Sequence, residues 1–252
     1  MIESAASREV QSVRTAFEIV AVLQDFDGAT LPELAGNLDI AKSTIYNYLG
    51  TLQRMGYVVE REGTYRVGLR FLTHGMAAKS GLPLAERFAE ALESPASRLS
   101  RPTWWVAEEQ GRGIFVDVAA PGDERILYGR IGKRSYLHTH AIGKAMLAEM
   151  PPETVQAAAD HHGLPGLTKE TITSIEPLRE ELEDIRTRGY ATSDGECALG
   201  VGAIGVAFTG PSESIHGIGT FNHGHDVGDR EADAAAVLQD TVEEIRETTG
   251  VN

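Results

Sequence analysis

Apolar residues recur at helical spacing through the first third of the chain, then give way to short runs bounded by turn residues. Val10, Val13, Phe17 and Val20 repeat at three, four and three, which predicts a helix over 7–23, closed by Asp25 to Gly28. Leu31, Leu34, Ala35 and Leu38 give the next apolar face. Thr30 and Glu33 before it have capping-box spacing, with Pro32 in the first turn. Asn37 and Asp39 suit a tight turn. A further helix over Lys42 to Arg54 has Ile45, Leu49, Leu52 and Met55 on one side and stops at Gly56. A strand from Tyr57, a turn at Glu62-Gly63 and a return over Thr64 to Val67 make a short hairpin. Leu72 and Met76 mark one side of a helix over Leu69 to Lys79. Ser80-Gly81 ends it, and with Pro83 it reads as a linker.

Beyond Leu82 the pattern changes. An amphipathic helix carries Leu84, Phe88, Ala91 and Leu92. Thr103 to Ala107, Gly113 to Val118 and Arg125 to Tyr128 predict consecutive antiparallel strands, with turns at Glu109 to Arg112 and Pro121 to Glu124. Ala141 to Met150 is a small-residue helix stopped by Pro151, and Leu178, Leu182 and Ile185 face one side of another, ended by Gly189. Val201 to Phe208 and Ile215 to Phe221 are two more strands. Ala235, Leu238, Val242 and Ile245 mark a last helix. Strands with interspersed helices predict an α+β domain built on an antiparallel sheet.

Helix, turn, helix and hairpin over 28–70 outline a winged helix-turn-helix, which lays its second helix in a DNA major groove. The polar face of that helix carries Lys42, Ser43, Thr44, Tyr46 and Asn47. Asn47 suits adenine, Lys42 guanine or a phosphate, and the hydroxyls suit phosphates. Arg61 and Arg66 are placed near the wing tip. The bland alternative is a solvated face on a three-helix bundle.

Length changes this picture little: 252 residues suffice for two cores. Charge changes it more. The net −14 argues against DNA at first sight, but residues 1–72 carry a net of only −2. Five Lys against 18 Arg, with 37 acidic residues, resembles proteins of salt-loving microbes and points to a halophilic archaeon. In molar salt counterion release drives DNA binding weakly, so base contacts and shape carry more of it. One cysteine, Cys197, forms no internal disulfide. With no apolar run of spanning length and no signal-like N-terminus, a cytoplasmic protein is expected.

Other chemistry is weaker. His138-x-His140 and His223-x-His225-Asp226 could chelate if each pair lay on a strand, but neither has a third ligand, and no metal is assigned. Cys197 lacks a partner that would activate it. Trp104-Trp105 fits alternating burial. Asp194 with Glu196 reads as loop carboxylates rather than an acid/base pair, and the glycines at 200, 202 and 205 as close backbone approach. No catalytic residue and no cofactor is assigned.

VRTAFEIVAVL, LPELAGNLDIAKSTIYNYLGTLQRMGYV, YRVGLRFL, LHTHAIGKAMLA, LREELEDIRTRGYATSDGE and GVGAIGVAF, in this order, resemble the IclR (isocitrate lyase regulator) family over nearly the whole chain. The resemblance implies an N-terminal winged helix-turn-helix domain (1–68), a linker helix (69–81) and a C-terminal α+β, GAF-like effector-binding domain with an antiparallel sheet (82–252). It implies homodimers or homotetramers on promoter DNA, a small organic acid or related metabolite as effector, and repression or activation of metabolic genes. Matched by motif, the effector site takes His140, Gly143, Asp194, Ala203, Thr220 and Asn222. Asp194 falls in a loop, Ala203 where many relatives have cysteine, and Thr220 and Asn222 where relatives alternate serines. His140 replaces the usual threonine, and Asn47 stands where relatives commonly have arginine. Two other classes stay open: an enzyme with a DNA-binding head, and an architectural DNA-binding protein without effector.

Overall fold

A computed structural model describes residues 9–82, 85–122, 128–223 and 231–249. The chain divides between Lys79 and Ser80 into two compact units. The N-terminal unit runs α1 (Gln11–Asp25), β1 (Ala29–Thr30), α2 (Leu31–Leu38), α3 (Lys42–Arg54), β2 (Val58–Arg61), β3 (Thr64–Val67) and α4 (Arg70–Ser80). Its strands form one antiparallel sheet in the order β1-β3-β2. The capping box starts α2: the Glu33 carboxylate accepts from the Thr30 N–H at 2.7 Å and from its hydroxyl at 2.8 Å. Those two bonds hold the Glu33 carboxyl below its ordinary range. Ile19, Leu23, Leu34, Ile45, Leu49, Val58 and Tyr65 form the core.

The apolar row expected to bury α1 does not do so. Ile19 and Leu23 enter the core, whereas Val10, Val13 and Phe17 are exposed, Phe17 to 61%. Helix α4 has no buried residue at all, and Leu72 and Met76 face solvent. Helix α1 therefore carries two apolar faces, and its own core uses one.

The C-terminal unit contains α5 (Ala85–Ala91), α6 (Glu93–Leu99), β4 (Thr103–Glu109), β5 (Arg112–Ala119), β6 (Arg134–Tyr136), α7 (Ala141–Glu149), α8 (Pro152–His162), α9 (Ile175–Arg188), β7 (Ala191–Asp194), β8 (Val201–Thr209), β9 (Ile215–His223) and α10 (Glu231–Thr249). The six strands form one antiparallel sheet, ordered β6-β5-β4-β9-β8-β7. Alternation sends Trp104, Val106, Ala203 and Phe221 to a face covered by α7 and α9. Trp105, Ile204, Val206 and Ile218 go to the opposite face, covered by α5, α6 and α10. Trp105 stacks on Phe88 with ring centroids 4.2 Å apart.

Helix α7 lies against backbone rather than side chains. A Cβ on Gly205 would fall 2.5 Å from Ile142 Cα, and one on Gly143 would fall 2.1 Å from the Leu137 carbonyl oxygen. Only glycine permits these approaches. The strand expected over Arg125 to Tyr128 lies outside the described residues except for Tyr128, which is in a bend. Leu84 and the Pro83 linker position also lie outside them. Among the described residues no helix is long and apolar enough to cross a membrane.

Candidate functional site

In the N-terminal unit, the buried positions Ile45 and Leu49 fix the rotation of α3 and leave Lys42, Ser43, Thr44, Tyr46 and Asn47 exposed together. Arg61 ends β2 beside the Glu62-Gly63 turn, where both residues take positive φ. Arg66 is not at the wing tip as expected. Its guanidinium bonds the Asp27 carbonyl and lies 3.2 Å from the Asp27 carboxylate, tying β3 to the end of α1.

In the C-terminal unit, His140 is fully buried and caps α7. Its Nδ1 accepts from the Gly143 N–H at 3.1 Å, so Nε2 carries the proton. Nε2–H then donates to Ser135 Oγ at 2.9 Å, and that hydroxyl donates to the Gly113 carbonyl at 3.1 Å. Ser193 Oγ accepts from the Ala141 N–H at 3.2 Å. The start of α7 is thus satisfied by the chain's own side chains. Burial, helped by the Lys133, His138 and Lys144 charges, pulls His140 down to about 3. On the other face His216, which accepts from Trp105 Nε1 at 3.3 Å, is pulled by burial to about 4.

Both rings lie below the ordinary 6.5, so between pH 6.5 and about 4 the unfolded chain binds more protons than the folded one. Their contribution to stability is complete above that range and is lost as pH falls through it. Melting curves of the full chain should show the C-terminal unit weakening as pH drops below about 6.5. The His216→Gln variant should show a shallower slope; a slope equal to wild type would contradict the assignment.

Around His140 lies an aromatic cluster that the sequence did not announce. Phe115, Tyr128 and Phe221 have ring centroids 5.5 Å, 6.3 Å and 6.1 Å from it. The Lys133 Nζ sits 3.3 Å from the centre of the Tyr128 ring. Burial lowers the Lys133 ammonium to about 8 and raises the Tyr128 hydroxyl; it also pushes the nearby Cys197 thiol up to about 11. No carboxylate pairs with Lys133 among the described residues. Its placement depends on the coil before β6, where Gly132 N–H bonds the Phe115 carbonyl and Phe115 N–H bonds the Lys133 carbonyl.

The expected effector residues divide. His140, Gly143 and Ala203 lie on the α7 face of the sheet. Thr220 and Asn222 do point the same way off β9, but to the face of Ile218, towards α6 and α10. Thr220 Oγ1 donates to the Pro102 carbonyl at 2.9 Å, and the Asn222 amide nitrogen is buried without a partner among the described residues. Gly217, Gly219 and Phe221 are the β9 residues that face α7. Asp194 is the exposed last residue of β7, paired with Gly202, and not a loop residue. His138 lies in a short 3-10 turn and bonds the Pro165 carbonyl, so it does not converge with His140. Of the other histidine pair, His225 and Asp226 lie outside the described residues. Among the described residues no three His, Cys, Asp or Glu side chains are grouped to hold a metal.

Residues 12–62 match the IclR helix-turn-helix domain, and residues 77–246 match the C-terminal domain of the bacterial transcriptional regulator IclR. The chain belongs to the IclR family. As a member it is a DNA-binding transcriptional regulator with a C-terminal effector-binding domain. It is 31% identical over 216 residues to a probable HTH-type transcriptional regulator, ArcR, of Halobacterium salinarum, covering 83% of this chain and 81% of that one. The same fold occurs in the Thermotoga maritima IclR (TM-score 0.75, 23% identity, 96% and 100% of the two chains). It also occurs in an IclR homolog from Microbacterium hydrocarbonoxydans complexed with 4-hydroxybenzoate (TM-score 0.74, 17% identity, 94% and 100%). In this IclR-family regulator no signal in the sequence around Lys133 marks it as a site residue. Its isolation from carboxylates among the described residues arises only in the folded chain.

Proposed function

We propose that this regulator senses a small organic acid on the α7 face of its sheet, with the acid's carboxylate on Lys133 and its carbon frame against Phe115, Tyr128 and Phe221. The observation that carries this reading is the half-buried Lys133 ammonium, set over an aromatic ring with no carboxylate beside it among the described residues. A cation held that way gains most from an anion brought in from outside. His140, Gly143 and Ala203 shape the same side, whereas Asp194 alternates away from Ser193, the β7 residue that faces α7. Thr220 and Asn222 take no part. The site serves binding rather than turnover: both nitrogens of His140 are committed to hydrogen bonds, and the Cys197 thiol stays protonated. The complex with 4-hydroxybenzoate formed by a structural relative is consistent with an acid of this class.

DNA is read by α3 and the wing, through Lys42, Ser43, Thr44, Tyr46, Asn47 and Arg61, with Arg66 bracing the wing. Function requires two copies. Val13, Phe17 and Val20 of α1 line an apolar groove of about 620 Å³ with Leu52, Met55 and Phe71. A monomer gains nothing from exposing it. A second copy covering it gives a homodimer, or a homotetramer by pairing of two dimers, in the cytoplasm. Thermal shift of the full chain with pyruvate, glyoxylate and 4-hydroxybenzoate tests the acid reading. At about 100 times Kd an acid should stabilise the fold by about 2.7 kcal/mol. The Lys133→Met variant should remain folded and lose that stabilisation; an unchanged shift would reject Lys133 as the anchor.

A further inference from the structure

Three of the described arginines of the N-terminal unit are committed internally. Arg14 pairs with Glu9 and Glu18, Arg66 with Asp27, and Arg70 bonds the Met55 carbonyl and lies over Tyr57. Lys42, Arg54 and Arg61 have no carboxylate partner among the described residues. Lys42 and Arg54 are the first and last residues of α3, so they stand about 18 Å apart along its axis. That separation exceeds the width of a major groove, about 12 Å. A helix whose axis lies across the groove therefore brings each of its ends near one flanking phosphate strand.

Gly50 lies between them, on the stripe of Ser43, Tyr46, Asn47 and Arg54. It is a poor residue for a helix interior, second only to proline. Nothing inside the unit requires it. Its φ is not positive, and an added Cβ would meet only Arg54 Nη1, at an ordinary 3.6 Å. The Arg54 guanidinium folds back along the helix, where Nη2 donates to Thr51 Oγ1 at 3.3 Å.

We propose that Arg54 is a phosphate anchor at the far end of α3, and that position 50 is glycine so that the DNA backbone can close onto the helix beside it. This rests on the reading of α3 as the DNA-binding helix. Gly50 and Arg54 lie outside the residues that the sequence pattern marks for DNA contact, and their internal environment explains neither.

The test uses the full chain and duplexes that the wild-type protein selects from a random-sequence pool. Gly50→Ala should raise the melting temperature yet weaken binding about tenfold, so that stability and affinity move in opposite directions. Arg54→Gln should leave the melting temperature unchanged, weaken selected and scrambled duplexes alike, and reduce the salt slope by about one. Arg54→Lys should restore the slope. Gly50→Ala binding as tightly as wild type, or Arg54→Gln keeping the full salt slope, would overturn the proposal. Selection of no duplex by the wild-type chain would instead remove the reading of α3 beneath it.

Discussion

Lys144→Met should destabilise the C-terminal unit by about 3–5 kcal/mol, enough to consume much of a typical domain's stability. The Lys144 side chain is 3% exposed, with Nζ 2.7 Å from Glu196 Oε1 and 3.3 Å from Glu181 Oε1. Glu181 also receives Arg188 at 3.3 Å. The second oxygen of Glu196 is buried without a hydrogen-bond partner among the described residues. Burial raises the Glu196 carboxyl above its ordinary range, and Lys144 is what opposes that. Without the lysine, Glu196 must either stay charged in a dry site or take up a proton. A carboxyl raised further in the folded state favours folding at low pH and loses that contribution as pH rises through its folded value. The Lys144→Met defect should therefore be milder near pH 5 than near pH 7, by about 1 kcal/mol or more. Adding Glu196→Gln should recover part of the loss, with a coupling readable from a double-mutant cycle. Urea melts of the four proteins at both pH values check this; a single-mutant loss below about 1 kcal/mol would mean the network is solvated.

Gly205→Val is the second large effect. Helix α7 crosses β8 and β9 at glycines, and a Cβ at 205 would lie 2.5 Å and 2.6 Å from the Cα and N of Ile142. Those are backbone atoms, so no rotamer change relieves the contact. Gly219 is closed in the same way, its Cβ 2.3 Å from the Ile204 carbonyl oxygen. Valine at 205 must lift α7 from the sheet, at a loss of about 3 kcal/mol or more. Lifting α7 also moves His140 and its bonds to Ser135 and Gly143, so any acid response should disappear with it. Gly36→Ala is the contrasting case. A Cβ there meets nothing within 4 Å, so the change should be neutral or stabilising. Melting temperatures of both variants decide the matter, and equal effects at the two positions would contradict this packing.

The N-terminal unit was the more legible part of the sequence. Helix α3 spans Lys42–Arg54, the range its spacing predicts, because a strong apolar period, a preceding turn and a terminal glycine agree there. The capping box fixed the start of α2 by the same kind of agreement. The face of α1 was misread because its exposed row is more apolar than its buried one, which includes Thr15. In the C-terminal unit α8 was missed: Pro151 reads as a stop, yet Pro152 occupies the first position of a new helix, where proline fits. Strands β6 and β7, of three and four residues, carry too little alternation to be seen. Thr220 and Asn222 illustrate the sensitivity of strands, since one residue of register exchanges the two faces of a sheet. Lys133 was invisible for a different reason. Its character comes from Tyr128, Phe115 and Cys197, which only the folded chain brings to it.

The most direct test of the account measures the affinity of the full-length protein for its selected duplex, with and without the acid that stabilises it, in wild type and in Lys133→Met. Linkage between an effector site and a DNA site is a coupling free energy, of about 1–3 kcal/mol where regulation is effective. The affinity should change by about fivefold or more in wild type, and not at all in Lys133→Met, whose basal affinity should be unchanged. An acid that binds the wild-type protein without altering its DNA affinity, or a full response in Lys133→Met, would contradict it.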